Sequence, residues 1–439
     1  MRRRPRDRRD RIVEVAGGLF LDRGYRQVGM ADVAAGVEIG ASALYRHFRG
    51  KSDLLVAVLD AALDRLEAAT AGVGEPERLL AAMAGVQMTS REYPALWERE
   101  RDELPADAHE RLAARRDRLD RLLLDAVRGD PEPGNAGRRG DLGTDTGAAP
   151  DGAATGAADA AVEVRVLAAS AVVLSPSYHH LRIEPERGVA LLGAAAARCL
   201  AADPPLPDPE RASADDRAPG PAGPAGAAGP AGPAGPAGAA VELSLLPAAR
   251  GEALVAVAGR LFAERGYHAV SLGEIGAAAG IAGPSIYNHF PSKVDLLTAI
   301  LQRGSEVLWF TLHQALAGAA DPGQALRLML DGYIGVLTAR PGVVPILLDE
   351  IASLSPEPRR RLRTTQQRYV TEWVALLRAW RPDLAEPDAR LLVHAAFAVA
   401  NSLTRQAASG RGPTAGIPSP WVRALAGAAL GLPSELVVD

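Results

Sequence analysis

Leu254, Val257, Ala258, Leu261 and Phe262 follow one another at helical spacing and predict a first helix over roughly 250–265, stopped by Gly266. Ser271-Leu-Gly-Glu274 has the form of a capping box and opens a short second helix that ends before Gly280. Gly280-Ile281-Ala282 makes a tight turn, where glycine can take a positive φ. A third short helix, about 283–289, starts with Pro284 near its first position, and Ser292-Lys-Val-Asp295 caps a fourth. Beyond these, residues 60–201 and 300–439 read as amphipathic helices with polar connections, so the expected fold is all-α.

The same pattern occurs twice. Residues 12–60 align without a gap to residues 254–302: Phe20 with Phe262, Gly24-Tyr25 with Gly266-Tyr267, Tyr45-x-His47-Phe48 with Tyr287-x-His289-Phe290, and Asp53-Leu54-Leu55 with Asp295-Leu296-Leu297. Lys51 matches Lys293, and these are the only lysines in the chain. A weaker match continues through 93–119 and 345–370, where Glu100 and Leu104 meet Glu350 and Leu354. The repeating unit is therefore a long two-domain module, far longer than a solenoid repeat.

This divides the chain into a first head over 1–60, a helical domain over 61–201, a linker over 202–241, a second head over 242–302 and a second helical domain over 303–439. Glycine recurs every third residue from Gly220 to Gly238, mostly as Gly-Pro-Ala. So few triplets in a globular context read as an extended linker rather than a collagen helix. A Gly/Ala/Asp-rich stretch near 129–160 reads as a disordered insertion.

Composition narrows the classes. Few aromatics and abundant Leu, Ala and Arg suit helices. Cys199 is the sole cysteine, which excludes an internal disulfide and disfavours a cysteine zinc site. The charged N-terminus has no apolar stretch behind it, and no uninterrupted apolar run is long enough to span a bilayer, so a cytoplasmic location without membrane contact is the expectation. The net charge of −4 hides an uneven distribution: Arg2, Arg3, Arg4, Arg6, Arg8, Arg9 and Arg11 form a basic N-terminal arm suited to phosphates.

The segments at 250–302 and 10–60 read as trihelical DNA-binding heads with a short recognition helix. Ser285 offers a hydroxyl to a phosphate, and Tyr287 a phenol on a stiff arm. Lys293 stands at a helix N-terminus, where charge and dipole both favour an anion. Asn288 and the early recognition-helix residues are placed to meet base edges, and Pro284 and His289 count among the candidate DNA contacts. Ser42, Tyr45, Arg46, His47 and Lys51 are the counterparts in the first head, joined by Arg2, Arg3 and Arg4 of the arm.

With Phe262, Gly266-Tyr267, Ile275, Gly280, Ser285-Ile286-Tyr287, His289-Phe290 and Lys293 in this order, both heads resemble the N-terminal domain of the tetracycline-repressor (TetR) family of bacterial regulators. That resemblance implies an all-helical repressor that binds a double-stranded operator. In such proteins the larger C-terminal domain takes a small hydrophobic or amphipathic effector that lowers DNA affinity, and its last two helices pair with those of a partner. Here those helices would be about 159–178 and 187–201 in the first copy, and 386–408 and 419–432 in the second. The halves of one chain can then pair as a pseudo-dimer, or two chains can form a homodimer.

The first copy departs from the pattern. Glu38 stands where the turn glycine belongs, Ala43 replaces the hydroxyl residue, and Gly29 and Gly50 replace the serine caps. Yet it carries the arginine arm and Arg46. Candidate effector-site residues are Trp97 and Tyr178 in the first helical domain and Tyr333, Trp373, His394, Phe397 and Asn401 in the second, with the polar His394 and Asn401 suited to orienting a ligand. Met83, Met88, Tyr93, His179, Trp309, Phe310 and Met329 are further aromatic or polarisable positions at helical spacing. His179-His180 lacks a spaced carboxylate or cysteine partner, so no metal is expected, and no cofactor. No nucleophile elbow, phosphate loop, dinucleotide fingerprint or zinc motif is present, which argues against an enzyme. The remaining alternative is a protein-interaction regulator of the anti-repressor type, in which one or both heads no longer bind DNA.

Overall fold

A computed structural model describes residues 5–129, 152–179, 181–203, 249–281, 283–339, 351, 354–409 and 416–433. Among these residues every regular element is a helix, and no strand occurs. The chain forms two compact units: a larger one containing Met1–Pro204 and Leu301–Asp439, and a smaller one containing Pro205–Ile300.

The larger unit opens with α1 (Pro5–Arg23), α2 (Met30–Gly36), α3 (Ala41–Tyr45) and α4 (Lys51–Thr70). It continues with α5 (Pro76–Thr89), α6 (Ala95–Glu100), α7 (Ala106–Arg128), α8 (Gly152–Leu174) and α9 (Pro185–Ala201). The basic arm is helical from Pro5 onward. Arg8, Arg9 and Arg11 lie on α1, whose Ile12, Val13, Ala16 and Phe20 are buried at helical spacing and carry the helix back to Pro5. Arg2, Arg3 and Arg4 lie outside the described residues. α4 joins head to helical domain by a continuous apolar stripe of Leu54, Leu55, Val58, Leu59, Leu63 and Leu66, each fully or almost fully buried. Burial on this scale contributes about 2 kcal/mol per leucine. α7 stops at Gly129 in the left-handed conformation. Of the predicted insertion near 129–160, residues from 152 onward are already helical, and 130–151 lie outside the described residues.

The smaller unit contains α10 (Arg250–Arg265), α11 (Leu272–Ala278), α12 (Gly283–Ile286) and the first turns of α13 (Lys293–Gly318). The rest of α13 belongs to the larger unit, together with α14 (Pro322–Ala339), α15 (Pro356–Trp380), α16 (Glu386–Ser409) and α17 (Ser419–Leu430). α12 is shorter than the predicted 283–289, with residues 287–289 in turns.

Within the larger unit, α8 and α9 pack on each other, α16 and α17 do the same, and the two pairs pack together into one four-helix layer. Ala168, Ala169, Val172, Leu192, Ala195, Ala196, Leu391, Ala395, Val399, Leu425 and Ala429 are all completely buried on these helices. Alanine dominates because small side chains let backbones approach closely. Polar contacts join the pairs. Arg187 bonds Asp388 at 2.7 Å, and Arg198 donates to the carbonyls of Ala428 and Ala429 at 2.8 and 2.9 Å. Cys199 Sγ lies 3.5 Å from the Leu425 carbonyl, and His179 stacks on His394 with ring centroids 4.4 Å apart. Arg405 forks onto Glu98 of the first copy at 2.9 and 3.0 Å.

Asp159–Tyr178 is, by length and composition, apolar enough to cross a membrane, although it is not an uninterrupted apolar run. Asp159, Glu163 and Arg165 interrupt it. In the fold this segment forms most of α8, with Val164, Ala168, Ala169, Val172 and Val173 inside the bundle.

Candidate nucleic-acid interface

In the second head, α10 stops where Gly266 takes φ 80°, a left-sided conformation that brings Tyr267 edge-on to Phe262 at 5.1 Å. Ser271 caps α11: its hydroxyl accepts the Glu274 amide at 3.2 Å, and the Glu274 carboxylate accepts the Ser271 amide at 2.8 Å. The Ser271 hydroxyl, which also donates to the Glu274 carboxylate at 2.7 Å, holds that carboxyl down to about 2, together with the Ser271 amide and Arg265. Gly280 turns the chain at φ 66°, and the Ile281 amide bonds back to the Gly276 carbonyl at 2.8 Å. α12 then presents its C-terminal end. Ile286 is buried, Ser285 half-buried, and Tyr287, Asn288 and His289 are exposed, with 57 % of Tyr287 in solvent. Pro284 lies within α12. A tyrosine this open, on a head where Phe262 and Tyr267 are buried and Phe290 half-buried, is positioned for an outside partner.

Lys293 opens α13 under a cap in which the Ser292 hydroxyl accepts the Asp295 amide at 3.2 Å. Its ammonium lies 4.4 Å from the Tyr267 ring centroid and 3.4 Å from the His268 carbonyl. The cation–π contact fixes the charge beside the helix N-terminus. The sequence singled out this lysine as a phosphate contact but gave no role to the tyrosine of the Gly-Tyr pair. The signal was present: the chain's two lysines occur only in heads that also carry that tyrosine.

The first head builds the same frame from poorer parts. Gly24 takes φ 86° and Tyr25 meets Phe20 at 5.2 Å. Lys51 lies 4.1 Å over the Tyr25 ring. Burial lowers its pKa, opposed by the nearby carboxylates of Glu100 and Glu103. The turn is kept although Glu38 replaces glycine. Glu38 adopts φ 58°, and the Ile39 amide still bonds to the Ala34 carbonyl at 2.9 Å. At Gly29 only half of the capping box survives, through the Asp32 carboxylate at 2.7 Å from the Gly29 amide. At Gly50 the Asp53 carboxylate accepts the Arg49 amide at 3.2 Å instead. Ser42, Tyr45 and Arg46 are exposed, 54 % of Tyr45 in solvent, and His47 is half-buried. Arg9 of α1 lies over Phe48 at 4.9 Å.

The effector candidates fall into separate groups. Tyr333, Trp373 and Phe397 come together in the second helical domain, Phe397 stacking on Tyr333 at 4.7 Å and meeting Trp373 edge-on at 5.1 Å, with Tyr369 added to the cluster. The Tyr333 hydroxyl donates to Asn401 Oδ1 at 3.0 Å, and burial raises the phenol's pKa. His394 stacks on His179 rather than joining them. Trp97 is buried against His109, its indole nitrogen without a hydrogen-bond partner, and Tyr178 is half-buried at the end of a 3-10 turn. His180 lies outside the described residues. A cleft of about 690 Å³ lies elsewhere, between α1, α4 and α7, and its walls include Arg9, Asp60, Asp64, Arg65, Arg111 and Arg115. None of the seven effector candidates lines it.

The family model described as bacterial regulatory proteins, tetR family, matches residues 12–58 and again 254–300. The transcriptional repressor KstR2 of Mycolicibacterium smegmatis is 31% identical over 147 residues, 31% of this chain and 71% of that protein. The transcriptional activator FasR of the same organism is 40% identical over 84 residues, 19% of this chain. The chain spans only 38% of FasR's length. Among solved structures, the TetR-family regulator PfmR of Thermus thermophilus matches at 27% identity, over 39% of this chain and 92% of its own, with a TM-score of 0.34.

Proposed function

Because the chain belongs to the tetR family of bacterial regulatory proteins, we propose that it binds a double-stranded DNA operator through both heads and regulates transcription, as a repressor released by a small hydrophobic or amphipathic effector. The observation that carries this reading is the doubled arrangement of an exposed tyrosine and a ring-held lysine: Tyr45 with Lys51 over Tyr25, and Tyr287 with Lys293 over Tyr267. Each pair offers a phenol and a fixed charge to backbone phosphates. Ser42, Arg46 and His47, and Pro284, Ser285, Asn288 and His289, complete the two surfaces, with Arg2, Arg3 and Arg4 adding affinity that does not depend on sequence. The cluster of Tyr333, Trp373 and Phe397 beside the Tyr333–Asn401 bond supports an effector site in the second helical domain: apolar walls with one polar handle. The packing of α8 and α9 on α16 and α17 supports pairing of the two halves within one chain.

Binding to the DNA upstream of the chain's own gene, titrated with salt, tests the reading. Affinity is expected to fall steeply and linearly on a log–log plot as salt rises. A chain that binds no DNA at low salt acts on a protein partner instead, as an anti-repressor does.

A further inference from the structure

We infer that the operator has no two-fold sequence symmetry: it consists of two unlike half-sites in fixed order, read by the two heads of one chain. This rests on the DNA-binding function proposed above and specifies the ligand of that function.

The first support is that the helical interface joins unlike halves. When identical surfaces pair, every contact is made twice, residue i with j and j with i. No contact here is made twice. Arg198 caps the last carbonyls of α17, at Ala428 and Ala429, where the helix dipole favours a cation. The end of α17, Ala428-Ala429-Leu430-Gly431-Leu432, has no side chain able to return that contact. Arg187 answers Asp388, a carboxylate whose side chain is only 8% exposed. Deprived of that arginine it would stay buried and uncompensated. In the other direction Arg405 of the second copy forks onto Glu98 of the first. First half meets second half, so one chain offers a duplex two different heads.

The second support is that the heads differ where bases are read and agree where phosphates are held. Tyr45 and Tyr287 are almost equally exposed, and Lys51 and Lys293 sit alike on their tyrosine rings. The exposed residue next to each tyrosine is Arg46 in one head and Asn288 in the other. Arginine forks onto the O6 and N7 of guanine, and asparagine onto the N6 and N7 of adenine. Ala43 against Ser285 adds a second difference. Identical heads call for a palindrome; these two call for a guanine-containing half and an adenine-containing half. The chain then lies on its operator in one orientation only.

Selection from a random pool of duplex DNA by the full-length chain, with the mass of the bound complex measured, tests this. The expected result is a site with two unlike halves, occupied by one chain. Arg46→Asn is expected to change base preference in one half alone, and Asn288→Arg in the other alone, each with a tenfold or greater loss on the original half-site. Both residues are exposed, so the variants should fold, which urea denaturation checks. An enriched palindrome, two chains per site, or a change in both halves from one substitution overturns the inference while leaving DNA binding in place. A pool without any enrichment overturns the DNA-reading function itself.

Discussion

Glu38 holds φ 58° at the position where Gly280 holds φ 66°. A residue with a Cβ is disfavoured there by roughly 1–2 kcal/mol. Glu38→Gly is therefore expected to stabilise the first head by on the order of 1 kcal/mol, and Gly280→Glu to destabilise the second by as much. Urea denaturation of each variant measures this, and a less stable Glu38→Gly protein would contradict the strain account. That strain was legible in the sequence, because the turn demands glycine and the repeat supplies the comparison. The seating of the lysines was not, since it depends on the loop after α1 and after α10 folding back onto the next long helix. Lys293→Ala is expected to weaken binding to all DNA sequences alike and to lower the salt slope by about one unit. An unchanged slope, in a protein shown to bind through the second head, rules out the phosphate contact.

Among the elements, caps were the readable part. Ser271-Leu-Gly-Glu274 and Ser292-Lys-Val-Asp295 fold as their sequences promise, and α10 runs over the predicted residues. Ser271→Ala is expected to cost about 1 kcal/mol, because α11 is too short to hold its first turn without that bond. Thermal unfolding checks this, and Ser271→Asn, which caps as well, should restore the loss. Less legible was which apolar faces meet which. His394 looked like a ligand-orienting residue on an apolar face, but its face packs against α8 and the turn that follows it, where His179 stacks on it. Burial pushes its pKa down to about 4, with Arg390 on the same helix adding to the effect; Arg91 bonds the His179 carbonyl nearby. An unfolded histidine titrates near 6.5. Between about 6.5 and 4 the unfolded chain takes up a proton that the folded chain refuses, so stability falls as pH falls through this window, by on the order of 3 kcal/mol. His394→Phe keeps a stacked ring and is expected to flatten that decline in urea denaturation at pH 7.5, 5.5 and 4.5. A decline of the same depth would assign it to another group.

At the scale of the whole molecule, the tandem repeat was plain from residues 12–60 and 254–302, and so was the all-α fold. What linear sequence does not carry is that the last two helices of each half pack into one layer, since the interface residues are mostly alanine, leucine and valine, common to any helix core. Tethering the halves keeps each at an effective concentration of roughly millimolar for the other. Light scattering at micromolar concentration is expected to give a mass near 45.8 kDa, one chain. A mass near two chains would reject intrachain pairing as the sole assembly.

Cys199 gives that layer its own gauge. The chain's only sulfhydryl is wholly buried on α9 against the Leu425 carbonyl of α17, and burial pushes its pKa up to about 12. A neutral, enclosed thiol does not attack, so an alkylating dye reaches it when the two halves part or the chain unfolds, and the unfolding rate measured separately is subtracted. The rate of that single colour change, with no label introduced and no residue replaced, is a clock for separation of the halves, and it can be run with DNA present or absent on the native polypeptide.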